Sequence, residues 1–402
     1  MPGLQGTVKQ ALARDRRIPG ERQCDADLAV TDPCLLIDSV FNSSDHAPMI
    51  VESGFKPHWL LRSPHLQTLW PVWTRRKPPA GRKERLELPD GDFLDLIWFD
   101  GGGPLVIVMH GLEGSIESHY AVAMMRALQQ QGFTGLFMHF RGCSGEPNRL
   151  DRAYHSGETG DFMAVLQHAV TVSGKSLHAA IGYSLGGNVL LKWLGEQAEN
   201  APIGRAVAIS VPFRLDAAGQ RLEQGLSRIY QNHLMQKMRR GYKARFTTRP
   251  SPLGVDVDSL QTFWQFDDRV TAPLHGFDGA DDYYRRCSSR QFLKTISRPT
   301  LILHAQDDPF MFPETVPGEE ELSPQVRLEL SRHGGHVGFI GGNLLLFALA
   351  RRHLRRARAG ALAEELAPQA GPPGSPGSPS WPPPGSTRCA SAWTDTTGAW
   401  PG

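Results

Sequence analysis

Short apolar runs alternate with stretches of helical spacing through the middle of this chain of 402 residues. The run Pro-Leu-Val-Ile-Val-Met at 104–109 is typical of a buried parallel strand, and residues 118–131 then repeat apolar side chains on one helix face. This alternation predicts an α/β domain with a mostly parallel central sheet and helices on both faces. Further strands are predicted at 133–140, 177–182, 206–210, 300–304 and 326–330, and further helices at 161–172 and 187–199.

Other segments depart from this alternation. Residues 211–295 contain helical stretches and no good strand, so we expect a helical lid inserted into the domain. The segment 93–99 is expected to be an antiparallel strand that begins the sheet. Residues 1–50 have no clear period and are expected to form a poorly structured extension, whereas 371–402 are rich in Pro, Gly and Ser and are expected to be disordered. The folded domain is therefore predicted to span 54–360.

Composition limits the partners and cofactors that we expect. Lys and Arg number 43 and Asp and Glu number 41, a net charge of +2 that gives no reason to expect a nucleic acid. The five cysteines are dispersed, which argues against a disulfide framework or a zinc site, and we expect no metal and no organic cofactor. We find no secretion signal and no apolar run of about 18 residues, so no transmembrane segment and a cytoplasmic location are predicted. These features do not predict the oligomeric state.

A candidate nucleophile lies between the predicted strand 177–182 and the predicted helix 187–199. The sequence Gly-Tyr-Ser-Leu-Gly at 182–186 matches G-x-S-x-G, a strained strand-to-helix turn that exposes its serine. Glycines on both sides avoid collisions in such a turn, and the helix N-terminus places partial positive charge where an oxyanion forms. In the alternative, Ser184 only caps the helix. The strand, turn and helix context favours the nucleophile of a serine hydrolase.

Two backbone N–H groups are predicted to stabilise the oxyanion. The sequence His-Gly-Leu-Glu-Gly at 110–114 directly follows the strand 104–109, and in this type of site the loop after that strand supplies one donor. We predict that Leu112 is this donor and that Leu185, the residue after the serine, is the other. His110 is interpreted as a structural residue that fixes the loop, rather than as a base.

An acid and a base are expected later in the chain, in that order. The strand 300–304 leads into a turn with two carboxylates, of which Asp308 is the predicted acid because the following proline shapes the turn. Its neighbour Asp307 is expected to brace the loop. After the strand 326–330, two glycines give His336 the freedom to reach the serine, so His336 is preferred to His333 as the base.

The motifs together resemble those of the YheT-like α/β-hydrolases (AB-hydrolase family 4), whose eukaryotic relatives are the abhydrolase-domain lipases. The resemblance covers about residues 54–355, and the stretch from 277 to the strand at 299 also fits the family pattern. The matching segments are Gly54-Phe-Lys-Pro-His-Trp, Pro64-His-Leu-Gln-Thr-Leu-Trp-Pro, His110-Gly-Leu-Glu-Gly-Ser, Phe140-Arg-Gly-Cys-Ser-Gly-Glu-Pro-Asn-Arg, Tyr154-His-Ser-Gly-Glu-Thr, Gly182-Tyr-Ser-Leu-Gly-Gly-Asn, Asp307-Asp-Pro-Phe and Gly334-Gly-His-Val-Gly-Phe.

The resemblance implies the α/β-hydrolase fold and a carboxylesterase or lipase that acts on short- to medium-chain acyl esters. It also implies that Ser184, Asp308 and His336 take the triad roles. The eukaryotic relatives carry an N-terminal membrane anchor that this sequence does not show, so it is more similar to the bacterial members. Residues 1–50 and the tail have no recognised counterpart in the family and are given no function.

The expected reaction is a two-step acyl transfer from a small-molecule acyl ester through an acyl-enzyme. An acyltransferase, a thioesterase or an amidase could use the same triad, and a non-catalytic scaffold is less favoured. The segment 141–149 either lines the cleft or, as we prefer, is a structural loop held by Arg141, Glu146 and Arg149. Apolar side chains of the lid form either an acyl pocket or the core of the lid itself: Phe213, Leu222, Leu226, Tyr230, Phe263, Trp264 and Phe266.

Overall fold

The structure is a computed structural model, and it describes residues 48–74 and 77–341. Within these residues nine strands form one sheet. In chain order they are β1 (Ile50–Glu52), β2 (Arg82–Glu87), β3 (Phe93–Phe99), β4 (Leu105–Met109), β5 (Thr134–Met138), β6 (Leu177–Tyr183), β7 (Ile203–Ile209), β8 (Thr300–Ala305) and β9 (Val326–Ser331). Their order across the sheet is β1-β9-β8-β7-β6-β4-β5-β3-β2.

The sheet confirms the mostly parallel arrangement predicted from the apolar runs. From β1 to β5 in the spatial order, neighbouring strands are parallel, whereas β3 pairs antiparallel with both β5 and β2. The strand predicted at 93–99 is β3, with the bounds and the antiparallel direction expected. The strands β1 and β2 were not predicted, because β1 has three residues and β2 has the charged sequence Arg-Lys-Glu-Arg-Leu-Glu.

The helices cover both faces of the sheet. In β4, Ile107 faces the core against the helices Thr159–Ser173 and Leu185–Gln197, whereas Val106 and Val108 face the core against the helix His119–Gln130, as the two-residue period of a strand requires. In the described residues the helices are α1 (Pro64–Trp73), α2 (His119–Gln130), α3 (Thr159–Ser173), α4 (Leu185–Gln197), α5 (Leu215–Leu222), α6 (Ser227–Arg245), α7 (Phe263–Phe266), α8 (Ala272–His275) and α9 (Ala280–Cys287).

The predicted helical insertion is present between β7 and β8 and contains α5 to α9. Its helices have a hydrophobic core of their own, which includes Leu222, Tyr230, Met235 and Phe263. A π-helical segment, Asp267–Thr271, joins α7 to α8. Because Leu112 and Phe310 pack against this core, the insertion lies over the loops that follow β4 and β8.

Some sequence expectations fall outside the described residues. Of the extension predicted for 1–50, residues 1–47 lie outside the described residues. The last residue of the predicted extension, Ile50, is the first residue of β1. The tail at 371–402 and the end of the predicted domain beyond 341 are also outside. Within the described part of the chain, every helix is too short or too polar to cross a membrane.

Candidate active site

Ser184 occupies the turn between the end of β6 at Tyr183 and the start of α4 at Leu185. Its φ of 50° and ψ of −116° form a conformation that residues other than glycine rarely adopt. A Cβ added to Gly186 would lie 2.5 Å from the carbonyl oxygen of His110, and one added to Gly182 would collide with the carbonyl oxygen of Gly186. The backbones approach so closely here that glycine is required on both sides of Ser184.

Ser184, His336 and Asp308 are connected in series by short contacts. The Oγ of Ser184 lies 3.0 Å from Nε2 of His336, and Nδ1 of His336 lies 2.9 Å from Oδ2 of Asp308. Asp308 and His336 are buried, and Ser184 is half-buried. When Nδ1 donates to a carboxylate, Nε2 can accept the proton of a hydroxyl group. This arrangement can therefore convert Ser184 into a nucleophile.

The acid and the histidine are held in place by residues that the sequence reasoning did not name. The N–H of Phe310 donates to Oδ1 of Asp308 at 2.9 Å, and the N–H of His336 donates to the hydroxyl of Thr68 at 3.0 Å. The Phe310 and His336 rings stack with centroids 3.9 Å apart and planes within 5°. Thr68 and Phe310 both lie in segments that carry the family resemblance, and this was the available signal.

The rival acid and base, Asp307 and His333, form a separate pair. Nδ1 of His333 lies 3.2 Å from Oδ2 of Asp307, and Oδ1 of Asp307 accepts the N–H of Gly335 at 2.9 Å. The His333 side chain is 40% exposed and approaches Asp307 instead of Ser184. Asp307 thus braces the glycine loop that leads to His336, as expected.

Two tyrosine hydroxyl groups hold the loop 110–114. The N–H of Gly111 donates to Tyr120 at 2.9 Å, and the N–H of Glu113 donates to Tyr154 at 2.8 Å. Tyr154 in turn donates to the carboxylate of Glu113 at 3.0 Å. Glu113 has a φ of 53° and is half-buried, and this burial raises the pKa of its carboxyl group. Tyr154 therefore fixes a strained residue through both its backbone and its side chain.

The two predicted oxyanion donors remain available in this arrangement. Within the described residues, no protein acceptor takes the N–H of Leu112 or that of Leu185. Leu185 is the first residue of α4, where backbone N–H groups lack helical partners. A Cβ on Gly111 would lie 3.1 Å from Cβ of Ser184, so the loop packs directly against the serine turn. Both N–H groups are thus free to bind an oxyanion near Ser184.

His110 has the geometry of a structural residue. Its Nε2 accepts the N–H of Phe140 at 3.0 Å, and its Nδ1 lies 2.7 Å from the carbonyl oxygen of Gly111. Complete burial lowers its pKa to about 3. A neutral imidazole with both nitrogens engaged fixes the loop and is not available as a general base.

A cleft beside the serine encloses about 1210 Å³, including its opening, and Ser184, Leu112 and Leu185 all line it. Its walls are largely apolar and come mainly from the helical insertion, with Leu234, Met238, Val270 and Leu274 among them. A buried carboxylate interrupts them: burial raises the pKa of Asp267 to about 6, although hydroxyl groups of Thr271 and Tyr284 donate to it.

For the apolar side chains of the lid, the sequence left an acyl pocket and the core of the lid as alternatives. Leu222, Phe263 and Phe266 line the cleft. Tyr230 lies in the core of the lid, and Phe213 lies in the main core. Leu226 and Trp264 lie on the surface at 60% and 45% exposure, so neither interpretation holds for them, because apolar identity alone did not show which way each side chain points.

The segment 141–149 is held as the structural interpretation expects. The buried guanidinium of Arg141 pairs with Asp92 at 2.9 Å and with Asp161 at 2.7 Å, both outside the segment. The start of the segment, including Arg141 and Cys143, also lines the cleft, so the segment has a structural role and also forms part of the cleft wall. Two surface ion pairs hold the rest of it, Glu146 with Arg85 and Arg149 with Glu87.

Comparisons with known proteins agree with this fold. Residues 104–342 match the family model described as alpha/beta hydrolase fold. The protein YheT of Escherichia coli (strain K12), named as a candidate esterase, is 45% identical over 290 residues, which cover 70% of this chain and 85% of YheT. Phospholipase ABHD3 of Mus musculus is 28% identical over 316 residues, 74% of this chain and 76% of that protein. Monoacylglycerol lipase of Saccharomyces cerevisiae is 26% identical over 249 residues, 60% and 56% of the two chains.

Proposed function

Because the chain belongs to the YheT-like family of α/β-hydrolases, we propose that it is a serine carboxylesterase that cleaves short- to medium-chain acyl esters. The observation that carries this proposal is the series of contacts from Ser184 through His336 to Asp308, with Ser184 in the wall of a largely apolar cleft. The names of the relatives support an esterase or lipase activity in general.

The first step forms an acyl-enzyme. His336 takes the proton of Ser184, whose Oγ attacks the carbonyl carbon of the ester and forms a tetrahedral intermediate. The N–H groups of Leu112 and Leu185 donate to the negative oxygen of this intermediate. Asp308 stabilises the protonated imidazole. The intermediate then collapses, the carbon–oxygen bond to the alcohol breaks, and His336 gives the proton to the departing alcohol.

The second step releases the acid. A water molecule gives a proton to His336 and attacks the acyl-enzyme, and the same two N–H groups bind the second oxyanion. Collapse of this intermediate breaks the bond to Ser184, which recovers its proton from His336. Apolar walls that include Leu222, Phe263 and Phe266 suit the acyl chain, because burial of each methylene group contributes about 0.8 kcal/mol.

The proposal is tested with a fluorophosphonate probe and a series of p-nitrophenyl esters of increasing acyl length. We expect one covalent adduct on the wild type, no adduct on Ser184→Ala, and ester hydrolysis that is lost in the same variant. No adduct on the wild type, or one that survives Ser184→Ala, contradicts the proposal. Thioesters and anilides of the same acid, and added alcohol acceptors, distinguish an esterase from a thioesterase, an amidase or an acyltransferase.

Two neighbouring carboxylates provide a matched pair of variants. Asp308→Asn should lower kcat by about 10⁴, because an amide neither orients nor stabilises the protonated imidazole. Asp307→Asn is isosteric with the wild type and lies in the same turn, but Asp307 contacts His333 and the N–H of Gly335 instead. A larger loss in Asp307→Asn than in Asp308→Asn would show that the acid has been assigned to the wrong residue.

A further inference from the structure

Positive charge interrupts the apolar wall of the cleft on one face of α6. The side chains of this helix that line the cleft recur at helical spacing, and the last of them is Arg245. Arg245 is only 9% exposed, although it carries a full charge. A buried charge is costly unless it is paired. The partners of Arg245 within the protein therefore show whether the cleft leaves room for an anionic ligand.

The guanidinium of Arg245 has few partners in the protein. Its Nη1 approaches the carbonyl oxygen of Asp151 at 3.5 Å, and its Nε is buried without any hydrogen-bond partner. Within the described residues, no carboxylate lies within the 4 Å of an ion pair with it. The contrast with Arg141 in the same cleft is clear, because Arg141 pairs with Asp92 and Asp161 at less than 3 Å. Burial also lowers the pKa of Arg245, in spite of the neighbouring carboxyl group of Glu113.

A second cation lies two turns earlier on the same helix. Nζ of Lys237 is 3.3 Å from the backbone carbonyl oxygen of Glu113, and the described residues offer it no ion pair. Glu113 is the acidic neighbour of both cations, but its carboxyl group already accepts the hydroxyl of Tyr154. Because Glu113 directly follows Leu112, Lys237 lies beside the loop of the predicted oxyanion donor, whereas Arg245 lines the same cleft as Ser184.

We propose that Arg245, supported by Lys237, forms a subsite for an anionic group of the substrate, so that the preferred ester carries a carboxylate or a phosphate on the part that lies in the cleft. A planar guanidinium with unused N–H groups binds two oxygens of either group at once. The subsite rests on the proposed esterase function and adds a substrate class to it: esters with one negative charge on a short chain.

The test compares esters that differ only in a terminal charge. The substrates are p-nitrophenyl hexanoate, the mono-p-nitrophenyl ester of hexanedioic acid, and an analogue that ends in a phosphate. The variants are Arg245→Met, which keeps an apolar stem, and Arg240→Met, which removes an exposed cation from the same helix. We expect the wild type to prefer one or both anionic esters in kcat/KM. Arg245→Met should reduce the ratio of anionic to neutral ester by about 10- to 100-fold, and Arg240→Met should preserve it. The two anionic arms show which group the subsite takes.

A binding measurement keeps this proposal separate from the esterase function. Hexanedioate or inorganic phosphate should raise the Tm of the wild type more than hexanoate does, and Arg245→Met should remove the difference. If Arg245→Met does not fold, Arg245→Lys keeps the charge without the fork and should show an intermediate ratio. A wild type that hydrolyses the neutral ester but neither prefers nor binds the anions overturns the subsite alone. Failure of fluorophosphonate labelling overturns the esterase function, whatever the anions do.

Discussion

Tyr154→Phe removes the one hydroxyl group that contacts both the backbone N–H and the side-chain carboxylate of Glu113. The hydroxyl accepts the N–H of Glu113 at 2.8 Å and donates to its carboxylate at 3.0 Å, and both contacts are partly buried. A buried polar group left without a partner costs about 1–3 kcal/mol. The strained peptide after Leu112 is then free to turn. Complete loss of an oxyanion donor lowers kcat by about 10²–10³. Because the N–H of Leu112 stays in the loop, we expect a smaller loss in kcat of roughly 10- to 100-fold.

Steady-state hydrolysis of p-nitrophenyl butyrate measures this effect, with KM expected to change little because the substrate carbonyl binds the oxyanion donors weakly before attack. A trifluoromethyl ketone, which forms the oxyanion on Ser184, should lose affinity by a similar factor. The matched control is Ser323→Ala, at a residue that does not line the cleft. In the wild type the buried hydroxyl of Ser323 likewise makes two hydrogen bonds: it donates to the carbonyl oxygen of Ile296 and accepts the N–H of Gln325. This variant should lose stability but not kcat. A kcat in Tyr154→Phe within twofold of the wild type would refute the role given to Tyr154.

Further predictions concern packing and protonation. Gly186→Ala should destabilise the fold by about 1–3 kcal/mol in urea titrations, because its Cβ would lie 2.5 Å from a backbone oxygen. Gly241 lies on a helix with open space around it, so Gly241→Ala should stabilise the fold by up to about 1 kcal/mol. Burial lowers the pKa of His304 to about 4 from 6.5, so the unfolded chain binds a proton that the folded chain does not, and stability falls as the pH drops from 6.5 to 4. His304→Phe should reduce the fall in Tm between pH 7 and pH 5, and an unchanged fall would contradict this. Burial raises the pKa of Cys287 to about 12, so iodoacetamide at pH 7 should leave it unmodified in the native protein, as peptide mapping can check against an unfolded sample.

The features predicted from the sequence are those with a local cause. A buried parallel strand is a continuous apolar run, and five such runs correspond to β4 to β8, whereas the more polar segment predicted at 326–330 corresponds to β9. The serine turn is specified by the glycines on either side of Ser184, and the collision of a Cβ at Gly182 with Gly186 arises within those five residues. The approach of Ser184, His336 and Asp308 was also predicted, because each side chain follows a strand of one parallel sheet. Their catalytic roles stay predictions.

The features that were missed depend on contacts between distant parts of the chain. Thr68 binds the backbone of His336 across 268 positions, and no local pattern indicates such a contact. The strand β2 has the charged sequence Arg-Lys-Glu-Arg-Leu-Glu, which is equally compatible with a loop. In the lid, apolar side chains lie on several sides of short helices, so sequence alone could not separate the exposed Leu226 from the cleft residue Leu222.

The contact between α1 and the histidine loop has a consequence for the order in which the protein matures. Gln67 donates to the carbonyl oxygen of Ile340 at 3.1 Å and accepts its N–H at 2.6 Å, next to the bond between Thr68 and His336. At a translation rate of 5–20 residues per second, roughly 13 to 55 seconds separate the synthesis of the two partners. A nascent chain can therefore build the serine turn long before it contains His336, the proposed base. The ribosome-bound chain should have no esterase activity until residues 336–340 have emerged and contact α1.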